Sequence, residues 1–181
     1  SFPKELTEEN IKYDSIIPEF NFIWKEKIKL DTELFSDTQR LKGIIIHRLL
    51  SKIKFDSDIN FAIDSGVVEG ILTNHETKIY KKLLKKVVAH KDLKHLFSLG
   101  NIIYTEKDIL LPSNQIIRPD RIVISNKKCH VIDYKTGNPN DQDWGQVNMY
   151  SKFLKLITKL ETESYLVYIK DDVIVKKKIN I

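Results

Sequence analysis

The hydrophobic and polar positions divide the chain into a helical first half and a strand-rich second half. Before Gly100, apolar residues recur at helical spacing in three stretches, each flanked by charged positions. Asp37 or Thr38 is a suitable N-cap for the first stretch, and Asn74 for the third. The predicted helices cover 38–53, 58–72 and 75–90.

Two of these helices have a clear apolar stripe. We expect the first to point Leu41, Ile44, Ile45, Leu49 and Ile53 inward, and the third Ile79, Leu83, Leu84, Val87 and Val88. Residues 1–36 show no clean period and carry scattered aromatic residues. We therefore predict an N-terminal arm over 1–36, packed on or leading into a domain over 37–181.

After Gly100 the chain becomes rich in Ile, Val and Tyr. Turn residues at 112–114 and 125–127 separate three such segments, which predicts an antiparallel meander. An Asn-Pro-Asn-Asp stretch then opens a fourth helix, and an Asp-Asp turn joins two last strands. The predicted strands and helix, in chain order, are 101–111, 115–125, 128–135, helix 141–160, 163–170 and 173–179. This order is typical of a layered α/β domain.

Composition narrows the class of protein. Cys129 is the single cysteine, which excludes a disulfide framework, a multi-cysteine zinc site and a cysteine-ligated iron–sulfur cluster. No apolar run approaches the ~20 residues of a membrane span, and no signal peptide is visible. We expect a soluble, cytoplasmic protein, and the missing initial methionine leads us to expect a piece of a longer chain.

The net charge of +5 suits a polyanionic partner, but a lysine-rich solvated surface produces the same excess. The third predicted helix concentrates that charge on its outer side. Two interpretations of this helix remain: its lysines bind a phosphate backbone, or they form an ordinary solvated face. Its lysines are Lys78, Lys81, Lys82, Lys85 and Lys86.

The first candidate functional residues lie at the end of the third predicted strand. Because strand side chains alternate, Asp133 and Lys135 project from one face, and Ile132 and Tyr134 from the other. A carboxylate beside an ammonium can hold a metal and a polarised water together. The alternative is a surface ion pair of little energetic value.

Asp120 lies within an apolar strand and needs a partner, since an unpaired buried charge is costly. If the second and third strands pair through the 125–128 hairpin, Asp120 stands level with Asp133. Two adjacent carboxylates repel unless a cation lies between them, and oxygen ligands select Mg²⁺ or Mn²⁺. The alternative pairs one of the two with Arg118 or Arg121.

Helical spacing adds three polar candidates. Gly43 and His47 share a face of the first helix, where the glycine would allow close packing against another backbone. Gln146 and Tyr150 share a face of the fourth helix. A core histidine and hydrogen-bonded flanking residues are the alternatives for these positions.

Together these residues resemble the RecB-type branch of the PD-(D/E)XK nucleases, in particular the C-terminal nuclease domain of UvrD/Rep-family (AddA-like) recombination helicases. The family's ordered elements are matched between about residue 40 and about residue 170. They are Gly43…His47-Arg48-Leu49-Leu50, Glu106, Asp120-Arg121, Asp133-Tyr134-Lys135-Thr136-Gly137 and Gln146…Tyr150.

The resemblance implies a restriction-endonuclease-like α/β fold, a central mixed β-sheet flanked by helices with an added N-terminal helical region. It implies that His47, Asp120, Asp133 and the main-chain carbonyl of Tyr134 hold Mg²⁺ or Mn²⁺. It also implies that Lys135 acts with Asp120 and Asp133 in catalysis. Substrate-binding or site-shaping roles would fall to Gln146, Tyr150, Arg121 and Glu106.

The activity implied is a deoxyribonuclease, acting as an exonuclease in DNA end processing or recombinational repair. Its partners would be a DNA single strand or duplex end and helicase domains of the same polypeptide. Because no Walker-type phosphate loop occurs, any ATP-driven motor must lie outside these residues. The alternatives are a stand-alone phage-type exonuclease, a non-catalytic DNA-binding module of the same fold, and a docking domain for a partner nuclease.

Overall fold

A computed structural model describes residues 33–111, 114–170 and 172–180. This part of the chain forms four α-helices and seven β-strands. The helices are α1 (Glu33–Ser51), α2 (Ile59–Val68), α3 (Thr77–Val88) and α4 (Trp144–Thr158). The strands are β1 (Ile102–Thr105), β2 (Ile109–Leu110), β3 (Ile116–Ile117), β4 (Arg121–Ser125), β5 (Lys128–Lys135), β6 (Glu161–Ile169) and β7 (Val173–Asn180).

All four predicted helices are confirmed, with different ends. α1 begins at Glu33, so the predicted N-cap at Asp37 or Thr38 is wrong and lies inside the helix. Of the predicted arm, residues 1–32 lie outside the described residues. α2 ends at Val68, because Gly70 follows in the left-handed conformation with φ 70° and turns the chain.

The buried faces of α1 and α3 differ from the predicted apolar stripes at several positions. In α1 the inward stripe is Ile46, Leu49, Leu50 and Ile53, whereas Leu41 and Ile44 are more than half exposed. In α3, Tyr80 is buried, whereas the predicted Ile79 is exposed. Helical spacing offers several overlapping stripes in such apolar runs, and tertiary contacts select one.

The predicted meander is confirmed, with its first two strands broken. β1, β4 and β5 pair antiparallel in that order, whereas β2 and β3 form a separate two-stranded sheet. The breaks fall at Glu106, which has φ 47°, and around Pro119, which has no N–H to offer a neighbouring strand.

α4 carries the chain from β5 to β6, which lies parallel to β5, and β7 then returns antiparallel. The result is a mixed five-stranded sheet in the order β1-β4-β5-β6-β7. The predicted central mixed sheet is therefore confirmed. In the described part of the chain, no helix combines the length and the apolarity needed to cross a bilayer.

Helices cover both faces of this sheet. α1, α2 and α3 pack on one face, which includes Ile132 and Tyr134 of β5. α4 packs on the other, which includes Cys129 and Val131. Since β5 is central and buried on both sides, the polar residues at its carboxyl end emerge between α1 and α4.

The β4–β5 hairpin sets the register of the candidate site. Asn126 and Lys127 both have positive φ, 49° and 59°, as in the two-residue turns that match strand twist. The register pairs Arg121 with Ile132, so Asp120 occupies the position that faces Asp133. The predicted alignment of the two aspartates is thus confirmed.

Candidate active site

Three separate elements bring His47, Glu106 and Asp120 together. His47 lies on α1, Glu106 directly follows β1, and Asp120 directly precedes β4. His47 Nδ1 is 3.3 Å from Asp120 Oδ1. One ligand atom from each of the three residues lies within 4.8 Å of the other two, which is close enough to hold a metal ion.

The left-handed backbone of Glu106 is what turns this residue toward Asp120. Its φ of 47° ends β1, and its N–H donates to the main-chain oxygen of Asp120 at 3.0 Å. We predicted a site-shaping role for Glu106, whereas the geometry makes it a candidate ligand. From the sequence, Glu106 lay inside the predicted strand 101–111 and was singled out only by the family resemblance; its positive φ could not be read from the sequence.

The electrostatics of this cluster favour a cation. The hydrogen bond to Asp120 raises the pKa of His47 against the opposing effect of burial, and the charges of Asp120, Asp133 and Glu106 add to the rise. Three carboxylates therefore act on one imidazole. Their combined negative charge attracts a proton or a metal ion to the same place.

Asp133 lies next to this cluster without belonging to it. Among the described residues, Glu106 rather than Asp133 completes the group of ligand atoms with His47 and Asp120. The Asp133 side chain is almost fully buried, and burial together with the charge of Asp120 raises its pKa to about 6. The Tyr134 N–H, one residue on, donates to Asp120 Oδ2 at 2.7 Å and fixes that carboxylate against β5.

Lys135 emerges from the same face as Asp133, as the alternation of the strand predicts. Its Nζ lies 2.8 Å from Asp133 Oδ2. Lys135 is the ion-pair partner of Oδ2, which has no further partner among the described residues. Burial alone would lower the pKa of Lys135, but the carboxylates of Asp133, Asp143 and Asp120 outweigh it and raise the pKa. Lys135 is therefore an ammonium ion at neutral pH.

A hydrogen-bonded chain from α4 holds this ammonium. Lys135 Nζ donates to Gln146 Oε1 at 3.0 Å, and Gln146 Nε2 donates to Tyr150 Oη at 2.6 Å. The predicted shared helix face of Gln146 and Tyr150 is confirmed. The start of α4 is fixed in turn, because Tyr168 Oη donates to Asp143 Oδ2 at 2.9 Å. The sequence pattern did not single out Asp143 or Tyr168.

Arg121 does not lie where we predicted. We predicted that it binds substrate or shapes the site. Its side chain is instead fully buried on the face of the sheet that α1, α2 and α3 cover. The guanidinium donates to the main-chain oxygens of Ile53, Lys54 and Leu96 at 2.6, 2.6 and 3.0 Å. It also stacks 4.0 Å from the centre of the Phe97 ring. Arg121 therefore joins the helical layer to the sheet.

The two arginines beside Asp120 do not neutralise it. Arg118 makes a two-pronged contact with Asp108, at 2.5 and 3.0 Å, and Arg121 binds the carbonyls just described. The alternative in which Asp120 pairs with Arg118 or Arg121 is therefore wrong for the described contacts. The partner of Asp120 is His47.

Gly43 brings α1 close to the end of β5. A Cβ atom at this position would lie 2.8 Å from Thr136 Oγ1, well inside normal contact distance. The prediction of close packing against another backbone is wrong, because the three nearest atoms all belong to the Thr136 side chain. His47 is one helical turn beyond Gly43, so this contact sets its distance from β5.

A second polar cluster lies at the opposite end of β5 and surrounds Glu163. This carboxylate accepts from Lys177 at 2.8 Å, Tyr165 Oη at 2.9 Å and Lys128 at 3.2 Å, and His130 Nδ1 lies 3.2 Å away. Helical and strand spacing do not indicate this partner for His130, because β6 brings Glu163 from 33 positions further along the chain.

Comparison with known proteins does not identify the chain. No protein-family model matches it, and no curated protein matches it. A solved structure titled "Crystal structure of SSO0001" is 16% identical in sequence, with 84% of this chain and 80% of that chain covered. Its TM-score of 0.33 is too low to carry an assignment of fold or function.

Proposed function

We propose that this chain is a deoxyribonuclease domain of the restriction-endonuclease-like fold, dependent on Mg²⁺ or Mn²⁺. The observation that carries the proposal is that two groups of residues lie close together. His47, Glu106 and Asp120 gather ligand atoms within 4.8 Å, and the buried Asp133 with its Lys135 partner lies directly beside them. Metal-dependent hydrolysis of a phosphodiester needs both an anionic ligand set and a positive charge near the nucleophile.

The donor set fits these cations. Carboxylate oxygens dominate it, as Mg²⁺ and Mn²⁺ prefer, and the buried Asp133 Oδ2 has no partner among the described residues besides the Lys135 ammonium. His47, Glu106 and Asp120 would hold the ion. Asp133 and the main-chain carbonyl of Tyr134 are the further ligands that the family resemblance implies. A bound ion of this kind neutralises charge at a phosphate and favours the loss of a proton from water.

Lys135 supplies the positive charge that the hydrolysis needs near the nucleophile. Its ammonium is held between Asp133 and Gln146, so its position does not depend on the substrate. A fixed positive charge at this point orients an attacking water and stabilises the negative charge that develops on the phosphate oxygens. Tyr150 and Gln146 keep the ammonium in place rather than reacting themselves.

The biological setting of the proposal is DNA end processing or recombinational repair, with a helicase motor on the same full-length polypeptide. Its support is the order of the motifs from Gly43 to Tyr150, which resembles the nuclease domains of helicase–nucleases. Exonuclease action is part of the proposal, because those domains process DNA ends.

The test is a cleavage assay on linear single-stranded, linear duplex and covalently closed circular DNA with Mg²⁺ or Mn²⁺. We expect the unmodified chain to degrade linear DNA and leave the circle intact. Asp120→Asn and Lys135→Ala should each lower the rate at least about 100-fold, since each removes charge stabilisation from the reacting phosphate.

Matched controls come from the neighbouring loop. Asp108→Asn and Lys107→Ala remove the same charges at exposed positions outside the ligand cluster, and both should retain activity. Absence of cleavage by the unmodified chain with either metal, while it still binds DNA, would indicate the non-catalytic DNA-binding module instead. Activity that survives both Asp120→Asn and Lys135→Ala would refute the assignment of the site.

A further inference from the structure

α3 presents five lysines on one side. They form two rows at helical spacings of three and four residues and line a shallow surface groove; the rows are Lys78, Lys81 and Lys85, and Lys78, Lys82 and Lys86. The opposite side of the helix, with Tyr80, Leu84, Val87 and Val88, is buried in the core. We call the five lysines the lysine face.

The charge of the lysine face is poorly compensated. In the part of the chain that the structure describes, no carboxylate lies within ion-pair distance of Lys78, Lys81, Lys82 or Lys85. Lys86 pairs with Asp172 at 3.5 Å. Like charges three or four residues apart destabilise a helix, so this arrangement works against the stability of α3. An anionic ligand would relieve that repulsion.

We propose that the lysine face binds the phosphate backbone of DNA, independently of base sequence. Lys78 and Lys86 are about 12 Å apart along the helix axis, and duplex DNA carries one negative charge for about every 1.7 Å of its length. Several phosphates can therefore lie along the face at once. Lysine suits such contacts, because its flexible side chain places a point charge near a phosphate. Recognition of a base edge, in contrast, needs a fixed hydrogen-bond geometry.

The burial of the apolar side of α3 favours nucleic acid over a membrane. A helix that lies on a bilayer inserts its apolar face into the lipid, whereas here Leu84, Val87 and Val88 are buried among core residues. The choice of DNA as the polyanion rests on the proposed function. The lysine face shares no residue with the metal cluster or with Lys135, so its contribution would be to substrate binding rather than to the chemical step.

The experiment measures binding of a fluorescently labelled linear duplex by the whole chain, with EDTA present so that metal-dependent cleavage cannot occur. The test variant replaces Lys78, Lys82 and Lys85 by Gln, which forms helix about as well as Lys. The control replaces Lys152, Lys155 and Lys178 by Gln, three exposed lysines with no ion pair to described residues. Both variants lose the same charge, and circular dichroism checks their folding.

We expect the test variant to bind at least about 10-fold more weakly, and its slope of log affinity against log salt to fall by about two to three. The control should bind within about two-fold of the unmodified chain. Equal weakening in both variants, no binding by the unmodified chain, or tighter binding to phosphatidylserine vesicles than to DNA would each overturn the inference.

The same measurements separate this inference from the proposed function. A chain that binds DNA through the lysine face, yet does not cleave it with Mg²⁺ or Mn²⁺, would support the binding surface and refute the nuclease. A chain that cleaves DNA but binds it equally well without these three lysines would refute the surface alone.

Discussion

Glu163 is a buried carboxylate whose ionisation depends on three neighbours. Burial alone would raise its pKa, but Lys177, Tyr165 and Lys128 donate to it and together lower the pKa from 4.5 to about 2. The side chain is only 6% exposed, so these contacts are well shielded from water. Such a carboxylate stabilises the folded chain only while it is ionised.

The sign of the resulting pH dependence follows from the lowered pKa. The contribution of Glu163 is fully present above the unfolded pKa of 4.5 and is lost as the pH falls from there toward 2. We therefore expect Glu163→Gln to lower the free energy of unfolding by about 1–3 kcal/mol at pH 7. That difference should shrink steadily below about pH 4.5, as measured by urea unfolding of both proteins.

Glu161→Gln is the matched control, because Glu161 also pairs with Lys128 but its side chain is 47% exposed. It should change the free energy of unfolding by less than about 1 kcal/mol at any pH. A stability difference between Glu163→Gln and the unmodified chain that stays constant from pH 7 to pH 3 would contradict the role given to Glu163.

Local spacing predicted several pairs of site residues. Strand alternation placed Asp133 beside Lys135, and helical spacing placed Gln146 beside Tyr150. The surroundings of Glu106 and Arg121 could not be predicted in this way. Both depend on residues distant in sequence, His47 for Glu106 and the Ile53 carbonyl for Arg121.

At the scale of elements, the packing of α1 against the end of β5 determines where His47 lies. Gly43 leaves room for Thr136 Oγ1, and an alanine there would put a methyl group 2.8 Å from that oxygen. Alanine is also the better helix former, by about 1 kcal/mol. The two effects oppose each other, and a pair of variants separates them.

We expect Gly43→Ala to destabilise the chain by about 1–2 kcal/mol when Thr136 is present, because overpacking outweighs the gain in helix propensity. In a Thr136→Ala background, the same change should stabilise the chain by up to about 1 kcal/mol, since the clashing oxygen is gone. Urea unfolding of the four proteins gives the coupling energy. Equal effects of Gly43→Ala in both backgrounds would show that the Thr136 contact does not limit the packing of α1.

The helices and strands were largely predictable from the sequence. The breaks within the first two predicted strands were not. Periodicity located all four helices, and turn residues located the meander. The breaks that divide its first two strands arise at Glu106 and Pro119, where one backbone is left-handed and the other lacks an N–H. Pro119 was visible in the sequence, but the Ile-rich residues around it favoured one continuous strand.

At the scale of the whole molecule, Arg121 connects layers that are otherwise joined by apolar contacts. Its guanidinium reaches carbonyls after α1 and before the sheet, at Ile53, Lys54 and Leu96. Burial lowers its pKa, although Arg121 stays charged at any ordinary pH. The contacts with the Ile53 and Leu96 carbonyls are buried, so removing the donor leaves these two oxygens without adequate partners.

We expect Arg121→Met to lower the free energy of unfolding by at least about 3 kcal/mol, because it strands buried carbonyls while roughly preserving volume. Arg118→Met removes the same charge from an exposed ion pair with Asp108 and should cost less than about 1 kcal/mol. Chemical denaturation monitored by tryptophan fluorescence measures both. A loss below about 1 kcal/mol for Arg121→Met would show that the helices and sheet hold together without this residue.

The layered α/β class followed from the order of helical and strand patterns. That order did not predict which side of the sheet each helix covers. The side depends on how α1 to α3 pack together before the chain enters β1. Nor did the pattern of apolar residues show that β5 and β6 run parallel. That arrangement is imposed by α4, which returns the chain to the end of the sheet where β5 began.

The two neighbours of β5 are reached through very different lengths of chain, and this difference has a kinetic consequence. β4 joins β5 through a two-residue turn, a type of hairpin that forms within about 1–10 μs. β6 can pair only after α4 has closed a long crossover, and such non-local contacts form slowly. Asp120 and Asp133 therefore meet early, in a local hairpin. We expect the docking of α4 and β6, which also brings Gln146 to Lys135, to be the slow step of folding.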